Sequence, residues 1–359
     1  MKRSPHNPIL TRADIPGVDP LVRDVTSVFN PGAVRCCSDA GVPDAAAIDA
    51  AATRTGMPSR KEGGSGHRDL LLLRVQTRGR ETVLFLAESD DGVSFRVHPR
   101  LIEIDGIDRL RTRPFHVYDP RVTRIGDEIY VVLAADMESG CHLITARLTG
   151  ASHLGRSGAA APRLELIGIT EDRESRNGVL FPERIGGRYC RLERPNARQL
   201  SSGVRTGDEV WLATSDDLVT WRLERPVFAG RPRYWDELVG SGPPPLKTRE
   251  GWLHLYHGVA THLNASIYQA GVCLLDPEDP SKVIARGRNN ILEPREIYET
   301  AGQVPNVVFP SGWIVDGRRD AGGCAPPDAV VRVYYGAADT CVAMAETTVA
   351  ELLAECRLQ

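Results

Sequence analysis

Asp119-Pro120-Arg121-Val122-Thr123 begins the pattern that decides how this chain folds. A proline-marked start, a turn containing glycine and a strand bearing an aromatic residue follow in that order, here reaching Tyr130. The order recurs at Phe181-Pro182-Glu183 leading to Tyr189, and at Pro244-Pro245-Leu246 leading to Trp252. It recurs again at Phe309-Pro310-Ser311 leading, after an insertion, to Tyr334. The prolines at 120, 182, 245 and 310 are 62, 63 and 65 residues apart. Such a period holds about four short strands with their turns, which is one propeller blade. A β-sandwich with chance proline spacing is the competing architecture.

A second echo favours the repeat. Ser89-Asp90-Asp91-Gly92-Val93-Ser94-Phe95 matches Ser215-Asp216-Asp217-Leu218-Val219-Thr220-Trp221. An Asp-rich turn running into an aromatic strand reads as a hairpin. Runs rich in Val, Ile, Leu, Tyr and Trp lie at 70–75, 82–87, 128–133, 142–148, 209–213, 252–256, 267–275, 330–335 and 341–346. Gly, Asp or Pro bounds most of them, as expected of strands. Helical periodicity is best at 348–356, where Thr347 or Thr348 is placed to cap a short C-terminal helix. The expected fold class is therefore all-β. A single five-bladed β-propeller spans 1–359, since irregular termini bring the count below six. An insertion at about 35–68, rich in Ala, Gly, Ser and charge, is expected as a loop or short helix over the channel mouth. A smaller Gly/Pro-rich insertion covers 318–328.

Composition narrows the partners. Hydrophobic residues at 42% and charged residues at 25% suit a soluble globular chain. A net charge of −3 with no block of like charge argues against nucleic acid or an anionic membrane as the main partner. No signal peptide is visible behind Met1, and no apolar run approaches the roughly 20 residues that span a bilayer. The eight cysteines include no CxxC pair, so reduced thiols in a cytoplasmic protein are expected. No metal-binding spacing of carboxylates or histidines appears, so no metal is expected.

A propeller gathers the N-terminal ends of its inner strands around a central channel. The polar residues near the proline-marked starts should therefore converge: Asp119, then Arg176, Asn177 and Arg194, then Tyr256-His257, then Asp339. One carboxylate, two arginines and a histidine around one cavity suggest acid catalysis beside an anion site. Each residue also has a structural reading. Asp before Pro is a common turn former, Arg194 has Glu193 or Glu183 as surface partners, and His257 sits in an apolar strand.

Many ordered stretches also resemble one family over nearly the whole chain. They include Phe29-Asn30-Pro31-Gly32-Ala33, Leu73-Arg74-Val75, Ala87-Glu88-Ser89-Asp90-Asp91-Gly92 and Asp119-Pro120-Arg121-Val122-Thr123. Arg176-Asn177, Leu180-Phe181-Pro182-Glu183, Arg194-Pro195, Tyr256-His257-Gly258-Val259, Tyr268-Gln269-Ala270-Gly271 and Tyr335-Gly336-Ala337-Ala338-Asp339-Thr340 continue the series. The chain resembles glycoside hydrolase family 130, the β-mannoside phosphorylases and related mannosidases. The resemblance implies a five-bladed propeller that cleaves β-mannosides with inorganic phosphate as co-substrate and no cofactor, giving α-mannose 1-phosphate by inversion. Asp119 matches the general acid of the family. Arg176, Arg194, His257 and Tyr268 match positions around phosphate and the reacting sugar. Asn30, Arg74, Asp90, Asp91 and Asp339 match positions lining the mannosyl subsite, with Asn177 beside them. A homo-oligomer would suit the family.

One position departs from the pattern. The phosphorylases carry a Lys just before the Val/Ile-Gly that follows the third-blade Trp. Here the stretch is Trp235-Asp236-Glu237-Leu238-Val239-Gly240, with Leu238 in that place. Lys247 or Arg233 are the candidate replacements, and Asp236 or Glu237 could instead serve water as a base. Phosphorolysis is the expected reaction because Arg176 and Arg194 are both present; hydrolysis of β-mannosides and a non-catalytic sugar-binding propeller are the alternatives.

Overall fold

Leu70-Leu71-Leu72-Leu73 shows why this chain builds stacked sheets. Leu70 and Leu72 pack into one apolar cluster with Val131 and Ile144, while Leu71 and Leu73 pack into another with Val342 and Met344. Side chains alternate across a strand, so an unbroken apolar run marks a strand buried on both faces. The computed structural model describes residues 1–18, 22, 24–37, 67–151, 161–199, 205–262 and 265–357.

Five twisted antiparallel sheets follow one another along the chain. Blade 1 runs Val25–Cys37, His67–Thr77, Thr82–Ser89 and Arg96–Leu101. Blade 2 runs His116–Ile125, Glu128–Met137, Gly140–Thr149 and Arg163–Thr170, with Ile104–Asp105 added in parallel at its edge. Blade 3 runs Ser175–Leu180, Tyr189–Pro195, Glu209–Ser215 and Arg222–Ala229. In blade 4 the inner position is shared by Leu238–Ser241 and Leu246–Thr248, followed by Gly251–His262, Ala265–Leu275 and Val283–Arg286. Blade 5 comprises Val308–Val315, Val330–Ala337 and Cys341–Thr348, and the N-terminal Lys2–Arg3 pairs with its last strand. Five apolar clusters each join two neighbouring blades, so the blade-to-blade faces are the core. All nine expected strand runs lie inside these strands.

The ring closes at the N-terminus. Arg3 forks onto Glu299, which is fully buried next to Tyr335 of blade 5. The C-terminal helix Val349–Arg357 lays Leu352, Leu353 and Cys356 onto the cluster between blades 4 and 5. Its start is a capping box: Glu351 N–H donates to Thr348 Oγ1, and Thr348 N–H donates to the Glu351 carboxylate.

The expected insertion at 35–68 is shorter than its sequence suggested, because Arg35–Cys37 and His67–Asp69 continue the hairpin in register. Residues 38–66 lie outside the described residues, so the expected cover over the channel does too. The prolines also mark blades without marking one structural position. Pro120 stands within an inner-strand bulge, whereas Pro182 follows the inner strand of blade 3 and Pro245 lies between two inner segments of blade 4.

Candidate active site

Three inner strands break their ladders in the same way. Asn30-Pro31, Asp119-Pro120 and Asn177-Gly178 each place two residues opposite one of the neighbouring strand. Their first residues have φ of 48°, 54° and 53°. Asn and Asp enter this left-handed region more readily than other side chains, and a bulge re-aims the side chain it carries. The bulges turn Asn30, Asp119 and Asn177 into one cavity of about 350 Å³. Arg74, Arg176, Arg194, His257, Tyr268 and Asp339 line it as well.

Asp119 is held tightly. Asn30 Nδ2 and Arg74 Nη1 both donate to Asp119 Oδ1 at 2.9 Å. Arg74 is clamped between the rings of Phe29 and Tyr118, 4.3 and 4.5 Å from their centres. Burial pushes the Asp119 carboxyl upward, but the Arg74 and Arg121 charges and the two hydrogen bonds outweigh it and hold its pKa below the ordinary value. Asp339 faces the same cavity with the opposite outcome. Burial and the nearby Asp119 charge raise it to about 6, against the pull of Arg74. The two carboxyls thus differ in their readiness to hold a proton.

The cationic side is built from a cross-strand pair. Arg176 and Arg194 stand opposite each other on adjacent strands of blade 3. Like charges in that position repel unless something anionic lies between or beside them. Arg176 has Asp136, whose Oδ1 lies 3.3 Å from its Nη2 and also accepts from Tyr118 Oη at 2.7 Å. Arg194 is buried and has no carboxylate partner among the described residues, and its Nε lacks a hydrogen bond. Burial and the Arg176 charge lower its pKa to about 10. Glu193, the surface partner the sequence offered it, is instead buried with Arg191 and Arg173.

His257 packs on Phe309 with ring centres 4.5 Å apart, and both ring nitrogens lack a protein partner. Burial, then the Arg194 and Arg121 charges, put its pKa well below the ordinary value, so the imidazole is neutral and free to bond a ligand. Gly240 makes room for it: a Cβ there would come 2.4 Å from the His257 ring and from Asn177.

Two expected residues stand elsewhere. Asp90 and Asp91 do not line the cavity. Asp91 caps its own turn, its Oδ1 accepting from Ser89 Oγ, Val93 N–H and Ser94 N–H, and Asp217 does the same at the matching turn of blade 3. The Asp90 side chain is 90% exposed, 3.9 Å from Arg68. The hairpin echo already carried this structural role. Neither proposed substitute for the missing lysine reaches the cavity: Lys247 bonds Glu183 at 2.6 Å, and Arg233 lines a different cavity. Asp236 is fully buried under Arg231, Arg286 and Tyr256. Glu237 accepts from Thr261 beside the other cavity. Conversely, Tyr118, Asp136, Val304, Val307 and Phe309 line the site without having been assigned a place in it. The one visible signal was Asp136, an acid ending the apolar run Val131-Val132-Leu133-Ala134-Ala135.

The family profile described as beta-1,4-mannooligosaccharide phosphorylase matches residues 70–358. The chain belongs to glycoside hydrolase family 130. Among family relatives, the beta-1,4-mannooligosaccharide phosphorylase of Ruminococcus albus is 41% identical over 180 residues, 50% of this chain and 50% of its own. The beta-1,2-mannobiose phosphorylase of Listeria innocua is 35% identical over 242 residues, 67% of this chain and 59% of its own. The matches thus span between half and three-fifths of these two relatives. A solved structure of a Listeria innocua beta-1,2-mannobiose phosphorylase with beta-1,2-mannobiose is 25% identical, with a TM-score of 0.73 over 100% of this chain and 99% of that one. The family 130 propeller is therefore common to both.

Proposed function

We propose that this chain is an inverting phosphorylase that cleaves β-mannosides with inorganic phosphate and releases α-mannose 1-phosphate. The observation that carries the proposal is Arg194, a buried guanidinium with no carboxylate partner among the described residues, beside Arg176 and a neutral His257. A buried charge is costly until it is paired, and a phosphate between the two arginines would pair it. Tyr268, half-buried in the same cavity, would add a hydroxyl to the same anion.

In this mechanism Asp119 is the acid and Asn30, Arg74, Asn177 and Asp339 hold the mannosyl unit. Phosphate attacks the anomeric carbon from the face opposite the leaving oxygen, so one inversion occurs. The C–O bond to the leaving sugar breaks as the new C–O bond to phosphate forms. The proton passes from Asp119 to the leaving oxygen through a sugar hydroxyl, and hydrogen phosphate returns one proton to Asp119. The acid must be protonated to begin, and the arriving phosphate charge favours that by raising its pKa. A phosphorylase needs only one such carboxyl because its nucleophile is already an anion.

Hydrolysis would require a base for water. Asp236 and Glu237 do not line the cavity, Asp136 is already engaged by Tyr118 and Arg176, and Asp339, the other carboxyl there besides the acid, is assigned in this mechanism to the mannosyl unit. A cytoplasmic setting is part of the proposal, since it supplies phosphate and keeps thiols reduced; Cys141, Cys190, Cys273, Cys324, Cys341 and Cys356 are free thiols. The deciding experiment incubates the protein with β-1,2- and β-1,4-mannobiose with and without phosphate. Mannose 1-phosphate formed only with phosphate is expected. Equal mannose release without phosphate, and no mannose 1-phosphate, would make it a hydrolase.

A further inference from the structure

The central channel has a second mouth, and it is basic. Four inner strands that feed the catalytic cavity lead, four or five residues on, into another: Asn30 is followed by Val34, Asp119 by Thr123, Asn177 by Pro182 and Phe309 by Trp313. A strand rises about 3.3 Å per residue, so the two cavities lie toward opposite ends of the propeller. Arg121 stands between them, fully buried, with its Nε donating to Gly242 C=O at 2.9 Å. The rear cavity is thus separate from the one that holds Asp119. We propose that this rear cavity, of about 340 Å³, binds a small phosphate monoester through Arg124 and Arg319. The site does not depend on the reaction assigned above.

Charge balance selects the ligand. Among the described residues, Arg35, Arg124, Lys247 and Arg319 line the cavity against one carboxylate, Glu183. Lys247 pairs with Glu183 at 2.6 Å. Arg35 is met by Asp69 and Asp316, and Asp316 is shared with Arg332. Arg124 and Arg319 have no carboxylate partner among the described residues. Two uncompensated cations match a phosphate monoester, which carries about −1.5 to −2 at pH 7; a carboxylate would leave one of them unpaired.

Both arginines are held in place. Arg124 Nη2 donates to Arg35 C=O at 3.3 Å and to Cys36 Sγ at 3.4 Å. Arg319 belongs to the Gly/Pro-rich insertion at 318–328, which is tied down on two sides. Ala325 N–H donates to Lys247 C=O at 2.8 Å, and Asp320 accepts from Gly322 N–H and Cys324 N–H at 2.9 Å each.

Trp313 adds a third donor. It lines the cavity and is only 7% exposed, yet its indole N–H has no hydrogen bond among the described residues. An indole N–H so deeply buried ordinarily has a partner. Pro182, Pro244 and Pro245 give the cavity an apolar wall for the body of the ester. Its volume falls among small-molecule sites, about 300–1,000 Å³, and a bare phosphate would leave most of it to water. The one carboxylate of the lining is tied to Lys247, so the ligand is an effector and not a reactant.

The test is calorimetric titration of glucose 6-phosphate into the Arg194→Met protein, which lacks a cation of the catalytic cavity, and into the same protein also carrying Arg124→Gln and Arg319→Gln. The first should bind one equivalent. The second should bind about tenfold more weakly or worse, the equivalent of a lost charge-assisted hydrogen bond. Arg319 is exposed and without a partner among the described residues, so Arg319→Gln alone should fold as the parent does and weaken binding about threefold or more. Glucose itself should not bind. Phosphorolysis of mannobiose by the Arg124→Gln, Arg319→Gln protein with Arg194 intact should stay within about twofold of the parent. Absent binding by the Arg194→Met protein, or affinities equal within about twofold with and without Arg124 and Arg319, would overturn the proposal.

Discussion

Nη1 of Arg74 lies 2.9 Å from Oδ1 of Asp119, and two aromatic rings fix the guanidinium in that position. Burial alone would raise the Asp119 pKa; Arg74 is the first of the charges that bring it down. An acid catalyst works only while protonated, so activity falls as pH rises through its pKa. Replacing Arg74 by Gln removes the charge and raises that pKa. The alkaline limb of the kcat/KM profile should therefore move to higher pH, even though the maximal rate drops because Arg74 also lines the cavity. A limb that stays in place would assign it to another group.

Asp119→Asn isolates the proton from the backbone. At φ of 54° most replacements would add strain, but Asn is one of the few side chains at ease in that region. The variant should keep the fold, with a melting temperature somewhat lowered by the weakened Arg74 pair, and lose about 10²–10⁴-fold in kcat, the usual range for a missing general acid. Formation of mannose 1-phosphate, followed beside a thermal melt, reports both. Near-parental turnover would remove Asp119 from the chemistry.

If phosphate pairs Arg194 as proposed, removing that residue should show it twice. Arg194→Met should raise the phosphate KM by roughly 10- to 100-fold, the equivalent of a charge-assisted hydrogen bond worth about 1.5–3 kcal/mol. The phosphate-free protein should be no less stable, because an unpaired buried charge has gone. Phosphate raises the melting temperature of a protein that binds it, and the variant should lose that rise. A large destabilisation without phosphate would mean that Arg194 holds the fold together instead.

A fold is legible in its sequence only as far as each residue type can signal its place locally. The strands were legible because runs such as 70–73 are apolar on both faces, which is what a stacked blade requires. The C-terminal helix was legible from its helical periodicity and from a threonine placed to cap it, which the structure shows to be Thr348. The proline period counted blades, and the polar residues near its starts do converge on the cavity, but Pro182 and Pro245 themselves fall outside the bulges that aim them. A better marker was an Asn or Asp before Pro or Gly within an apolar strand, as at Asn30, Asp119 and Asn177. Asp91 exposes the limit of resemblance: its turn recurs at Asp217 and needs no ligand. The pairing of Arg176 with Asp136, across two blades, depended on the closed ring and had no local sign.

Closure of that ring supplies the last prediction. Glu299 is fully buried and accepts from Arg3 Nε and Nη2 at 2.8 Å each, Tyr335 Oη at 2.7 Å, and the N–H groups of Arg295 and Glu296 at 2.8 and 3.0 Å. Burial pushes its carboxyl pKa up, but these donors outweigh burial and leave it below the ordinary value. A carboxyl with a depressed folded pKa stabilises the fold fully above its unfolded value, roughly 4.3, and loses that contribution as pH falls through the folded value. Glu299→Gln should therefore cost on the order of 3–5 kcal/mol at pH 7, the scale of a broken buried ion pair. The gap between variant and parent should narrow as pH drops below roughly 4. Arg3→Ala should reproduce the loss in part, because Arg3 carries the strand that completes blade 5. Denaturant melts of the three proteins at neutral and acid pH measure this directly, and equal stabilities at pH 7 would mean that the ring is held shut elsewhere.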